Sequence, residues 1–216
     1  TASGESIPPD LFIPIAESTG LIKKIGEFAI SSAISLLEQW QLEGIAPLKL
    51  AVNLSIIEFQ DEHFIDYIIE SISNSSISGD QLIIELTESI FMENKEKMSK
   101  TMHKLKHYGV AFALDDFGKG YSSFSYLQLL PIDYLKIDKS FLQNVITDEQ
   151  SAAIAKCIID IGHNLDLAII AEGIEDQETL DYVSKTHCEM AQGFFMYRPM
   201  PSDSFTKLIR KNSHAK

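Results

Sequence analysis

The 216-residue chain is 45% hydrophobic with a formal net charge of −13. That is enough apolar material for one substantial core, and too acidic for a broad DNA- or RNA-binding surface, which gains affinity by neutralising phosphates with Lys and Arg. No apolar run approaches the ~20 residues a membrane span needs, no basic and apolar leader opens the chain, and the isolated Cys157 and Cys188 make neither a zinc set nor a disulfide framework, so the expected setting is the reducing cytosol.

Thr1–Pro9 is polar and turn-rich, and Asp10 reads as the N-cap of a short helix carrying LFIPIAES, kinked or interrupted at Pro14. From Leu21 to Trp40, the residues Ile22, Ile25, Ala29, Ala33, Leu36 or Leu37 and Trp40 repeat at helical spacing and predict a helix buried along that stripe. Gly44 ends it. Leu48–Asn53 (LKLAVN) is the first strand and closes on Asn53. Ile57–Ile72 is expected as one helix, followed by a Ser/Asn/Gly-rich loop. Leu82–Glu88 (LIIELTE) is the second strand, carrying Glu85 and Glu88. The Lys-rich helix at Asn94–Tyr108 buries Met98, Met102 and Leu105. His103 and His107, four apart on its polar face with no partnering Glu, read as solvated.

The centre of the chain is VAFALDDFGKGYSS, Val110–Ser123. Its apolar first half indicates a strand covered on both faces, and the apolar run stops at Asp115 and Asp116, with Gly118 and Gly120 permitting a sharp loop. Asp116-Phe117-Gly118 matches a kinase tripeptide, but no Gly-rich phosphate loop or His-Arg-Asp loop accompanies it. Ser123–Leu130 is expected as a short helix stopped by Pro131. Tyr134–Asp138 (YLKID) is a strand with Lys136, Lys139–Val145 a short helical connection, and Asp148 opens a helix through Asn164. Leu167–Glu175 (LAIIAEGIE) offers Glu172 and Glu175, Asp176–Lys185 is a crossover helix, and Met190–Phe195 brings Gln192 and Gly193. Phe205–Ile209 sits in a terminal helix.

Six strands alternating with helices predict an α/β fold with a parallel sheet, a TIM-like (β/α) barrel in which six of the eight strands are identifiable. Parallel strands present their carboxyl ends on one side, so Asn53, Glu85, Asp115, Asp116, Lys136, Glu172 and Gln192 converge on one face. Paired acids there suit a divalent metal, whereas Lys136 taken alone also reads as an interior salt bridge to a neighbouring carboxylate.

These residues resemble the EAL domain of bacterial cyclic di-GMP phosphodiesterases. The matching stretches are FIPIAESTGLI (Phe12–Ile22), AVNLS (Ala51–Ser55), ELTES (Glu85–Ser89), ALDDFGKGYSSFSYL (Ala113–Leu127), LPIDYLKIDKSF (Leu130–Phe141), AEGIE (Ala171–Glu175) and AQGFF (Ala191–Phe195). The resemblance implies metal-dependent hydrolysis of one phosphodiester bond of cyclic di-GMP to linear pGpG. It implies two Mg²⁺ or Mn²⁺ ions, one held by Asn53, Glu85, Asp115 and Glu172 and one by Asp115 with Asp116. Lys136 would orient the attacking water or stabilise phosphoryl charge, and Glu88 would steady the loop after the aspartates. Glu175 and Gln192 match positions near the site, and Arg198 is expected to touch substrate. The loop Phe117–Ser123 is associated in the family with dimer contacts. Two further strands, one bearing the signature glutamate, precede the matching segment in the family. The chain is therefore expected to begin after them, to hydrolyse cyclic di-GMP poorly by itself, and to belong to a longer protein with an upstream regulatory domain. The alternative is a catalytically silent module that binds cyclic di-GMP or a protein partner as a regulator.

Overall fold

Every strand of the sheet pairs in parallel with the next strand in sequence. The computed structural model describes residues 7–45, 47–88, 95–118, 127 and 129–213. Its strands are β1 (Leu50–Asn53), β2 (Leu82–Thr87), β3 (Ala111–Phe117), β4 (Tyr134–Ile137), β5 (Ala168–Ala171) and β6 (Met190–Ala191), side by side in that order. A doubly wound sheet reverses its strand order at a switch point, and this sheet does not. Sequential winding with intervening helices is barrel topology, and the six strands form a curled half-barrel.

Helices α1 (Pro9–Thr19) and α2 (Ile22–Leu42) precede the sheet; α3 (Ile56–Phe59) and α4 (Glu62–Ser73) follow β1, α5 (Lys95–Lys106) follows β2, α6 (Glu149–Asn164) follows β4, α7 (Gln177–Lys185) follows β5, and α8 (Ser202–Ser213) follows β6. Asp148 and Asp176 cap α6 and α7 by accepting from Ser151 N–H (2.8 Å) and Thr179 N–H (2.7 Å), filling orphan donors of the first turn. Met98, Met102 and Leu105 are fully buried, and His103 and His107 are exposed, as expected.

Several local expectations change. Pro8, not Asp10, is the N-cap of α1; Pro9 takes the first turn, where its missing N–H costs nothing, and the helix runs on through Pro14. The helix expected over 57–72 is two, because Asp61 turns its carboxylate to His63 N–H (2.9 Å) and starts α4 afresh. The buried stripe of α2 is Ile22, Gly26, Ile30, Ala33, Ile34, Leu37 and Trp40, while Ile25 and Phe28 face outward. At Gly26 a Cβ would run into Glu58 of α3 and Phe64 of α4. Trp40 is core, as expected, with its Nε1–H donating to Thr206 Oγ1 of α8 at 3.0 Å. The expected short helix at 123–130 lies largely outside the described residues.

The two faces of the sheet differ in kind. Outward-facing Leu82, Ile84, Leu86, Phe112, Leu114, Leu135, Ile137 and Ile169 join the helices in one large core. Inward-facing Ile83, Ala111, Ala113, Tyr134, Ala168 and Ile170 form a separate small cluster. Register confirms the sorting: Glu85 lies beside Asn53 on one flank and Ala113 on the other, and Lys136 lies beside Ile170. Residues level across parallel strands share a face, so Asn53, Glu85 and Ala113 all line the inside. Tyr134 accepts a 2.8 Å hydrogen bond from Lys49 Nζ across that interior.

Candidate active site

Above the small inner cluster the interior turns ionic. The Lys136 ammonium, only 3% exposed, meets three carboxylates from three strands or strand ends: Glu85 at 2.7 Å, Glu172 at 2.8 Å and Asp115 at 3.1 Å. Small side chains at Ala111 and Ala113 leave room for it, because a long lysine on β4 needs space to reach β2. Burial opposes the ammonium charge, but the carboxylates of Glu85, Glu172 and Asp115 outweigh it and hold Lys136 above the ordinary lysine range. Burial also pushes the Glu172 carboxyl up, against the pull of Lys136 and with the added repulsion of Asp115 and Glu85.

Asp115 and Asp116 owe their setting to a break in the sheet. The β3–β4 register shifts between Leu114 and Phe117, and Asp116 takes a left-handed backbone, φ 57°, with its N–H donating to Asp115 Oδ1 at 2.8 Å. In a regular strand two adjacent residues point to opposite faces. A bulge releases that alternation, and Asp is one of the few non-glycine residues that visits this conformation readily. Nothing in the spacing of the sequence signals it.

Asn53, level with Glu85 at the end of β1, has an exposed side chain. Beside the ionic cluster a pocket of about 270 Å³ is lined by Asp138, Lys139, Glu172, Gly173, Glu175, Gln192, Gly193 and Phe194. Glu175 and Gln192 are thus brought to the same cleft as Glu172. Arg198 stands with its guanidinium 4.6 Å over the Phe194 ring, at the pocket's edge rather than in its lining. Lys139 and Phe194 were not singled out from sequence. Asp138, which the YLKID stretch carries two residues after Lys136, reaches the same cleft. Glu88 is half-buried, and its Oε2 has no hydrogen-bond partner among the described residues. Most of the loop 117–123 that it was expected to steady lies outside them, and so does the expected dimer contact.

The donor chemistry fits a hard divalent cation: carboxylate and amide oxygens gather at one rim, and three carboxylates against one ammonium leave the cluster net negative. As placed, the carboxylates close on Lys136, and among the described residues no three His, Cys, Asp or Glu side chains form a ready ion-holding group.

A half-barrel of sequential parallel strands with acids and a lysine at the carboxyl rim defines an α/β barrel of the kind that places its chemistry at strand ends. The family model for the EAL domain matches residues 1–199, and the chain belongs to that family. The Oxygen sensor protein DosP of Escherichia coli K12 is 37% identical over 197 residues, 91% of this chain and 25% of that protein. The bifunctional diguanylate cyclase/cyclic di-GMP phosphodiesterase MucR of Pseudomonas aeruginosa is also 37% identical, over 91% of this chain and 29% of its own length. The chain thus spans about a quarter of these relatives. The solved structure of the PaMucR phosphodiesterase in complex with c-di-GMP superposes with a TM-score of 0.87 at 37% identity, covering 92% of this chain and 81% of that one. Among the described residues no helix is long and apolar enough to cross a membrane.

Proposed function

We propose that the inner rim of this half-barrel binds cyclic di-GMP and hydrolyses one of its phosphodiester bonds to give linear pGpG. The observation that carries this is the grouping of Glu85, Asp115 and Glu172 around Lys136 beside a pocket of about 270 Å³. The substrate is supported by MucR, named as a cyclic di-GMP phosphodiesterase, and by the c-di-GMP complex of PaMucR.

An anionic diester enters a net-negative cleft only if cations offset the acids. In this reading Asn53, Glu85, Asp115, Asp116 and Glu172 hold two Mg²⁺ or Mn²⁺ ions, which when bound supply Lewis-acid charge to the phosphoryl oxygens and a water of lowered pKa. Lys136 stays protonated at neutral pH because its pKa is raised, so it donates and never accepts. Its role is to orient the water by hydrogen bonding and to stabilise negative charge on the phosphoryl oxygens. Glu172, ion-paired with Lys136 at 2.8 Å and lining the adjacent pocket, stands with it where the scissile phosphate would lie. Glu175 and Gln192 line the cleft where the rest of the dinucleotide lies, with Arg198 at its edge. The same reading puts the chain on the cytosolic side, where the free thiols Cys157 and Cys188 stay reduced, as one module of a longer regulated protein.

Cyclic di-GMP titrated into the chain with Mn²⁺ present, with products separated by chromatography, tests the proposal. Expected are saturable binding and a slow, Mn²⁺-dependent appearance of pGpG that Asp115→Asn abolishes. Saturable binding with no pGpG at any Mn²⁺ or Mg²⁺ concentration makes the chain a regulatory receiver instead. Absence of both overturns the assignment.

A further inference from the structure

Asn53 ends a four-residue strand that pairs on one side with β2, and its exposed side chain has no hydrogen bond among the described residues. Packing does not aim it, so the backbone on either side must. The following residue, Leu54, donates its N–H to the Glu85 carbonyl at 3.1 Å, and Ser55 then becomes the N-cap of α3. Glu58 grips that cap: its Oε2 accepts from Ser55 N–H (2.8 Å) and Ser55 Oγ–H (2.6 Å), while Ser55 Oγ accepts from Glu58 N–H (3.3 Å).

This is a capping box by its bonds, but not by its setting. Glu58 is 2% exposed, and its carboxylate is lodged against α2 at Gly26. A Cβ at Gly26 would stand 1.9 Å from Glu58 Oε1 and 2.8 Å from the Phe64 ring. Burying a carboxylate whose hydrogen bonds among the described residues all come from Ser55 is costly, and a helix of four residues has little stability of its own to gain from it. What the arrangement does fix is the exit of β1, two residues beyond Asn53.

We propose that Glu58, braced by Gly26, is a positioning residue that holds the end of β1 so that the Asn53 amide faces the ionic cluster. The inference rests on the reading of Asn53 as an ion ligand. It ties the ligand set to α2, which packs against β1 and α3.

Mn²⁺ titration calorimetry on the 216-residue chain, without nucleotide, tests it. Glu58→Ala is expected to weaken Mn²⁺ binding about tenfold, the scale of losing a group that orients a ligand. Glu58→Gln, which still serves the box, is expected to stay within about twofold of the parent. In an Asn53→Ala background Glu58→Ala should add nothing, because a residue acting through Asn53 has no second route. Additive losses, or failure of Glu58→Gln to restore binding, overturn the positioning role. So does a Glu58→Ala chain with parental affinity where Asn53→Ala is weakened, an outcome that leaves the ligand reading standing. Parental affinity in Asn53→Ala overturns that ligand reading, and the inference with it. Should Glu58→Ala fail to fold, Gly26→Ala displaces the same carboxylate. It is expected to show the same loss and the same non-additivity, and unchanged affinity there overturns the proposal.

Discussion

The outer and inner faces of the sheet are made by alternate residues of the same strands, yet they are held together by different physics. Outside, Leu82, Ile84, Phe112 and Leu135 are fully buried among helix side chains, with Phe59 and Phe112 packed edge to face at 6.1 Å. Inside, a small cluster of Ile83, Ala111, Ala113, Tyr134 and Ile170 gives way at the rim to an ionic group around Lys136. Apolar burial contributes whatever the pH; a buried ion cluster contributes only while its charges stay balanced.

The contrast can be broken by comparing one residue from each face. Lys136→Met leaves Glu85, Asp115 and Glu172 uncompensated and is expected to cost about 3–5 kcal/mol of stability at neutral pH. Phe112→Ala is expected to cost a similar 3–5 kcal/mol or so, from lost transfer energy and a cavity. The two should separate in acid. As acid neutralises Glu172, whose carboxyl burial already raises, the Lys136→Met deficit shrinks while the Phe112→Ala deficit holds. Urea melts across pH check this, and parallel curves would place Lys136 among merely packed residues.

A smaller effect is expected from Ala113→Leu, which fills the space the lysine crosses. Overpacking there should cost about 1–3 kcal/mol, and cyclic di-GMP binding should fall with it. Unchanged binding would show that the inner alanines do not set the room for Lys136.

The smallest effect concerns Glu58. Burial, opposed by its bonds to Ser55 and reinforced by Glu17, raises its carboxyl above the ordinary value of 4.5. The folded chain therefore holds this proton more tightly than the unfolded chain, and the ionised group costs stability at neutral pH. Glu58→Gln should raise Tm at pH 7, and the gap should close as pH falls below about 4.5, where the parent is protonated in both states. A gap independent of pH would mean the gain comes from packing.

Much of this was legible from residue order. Apolar runs marked the strands, although the stretches expected over 167–175 and 190–195 pair only at Ala168–Ala171 and Met190–Ala191, and the polar residues at or near the strand ends marked the rim where Glu85, Asp115, Lys136 and Glu172 meet. The stripe of α5 followed from spacing alone, since Met98, Met102 and Leu105 have no other way to be buried together on one helix. Spacing failed where contacts across the chain decide. It chose Ile25 for the buried face of α2, because hydrophobicity says nothing of a carboxylate thirty-two residues on that lies against Gly26. It ran one helix through Asp61, whose capping bond competes locally with helix continuation.

By itself the sequence determined the order of strands and helices and the chemical type of each strand end, because those depend on local periodicity and residue class. Only the tertiary structure decided that the register breaks at Asp115 and Asp116, that three carboxylates close on one ammonium, and that a buried glutamate leans on Gly26. Each of these depends on the separation of groups distant in the chain, and Coulomb energy, desolvation and steric fit are functions of that separation.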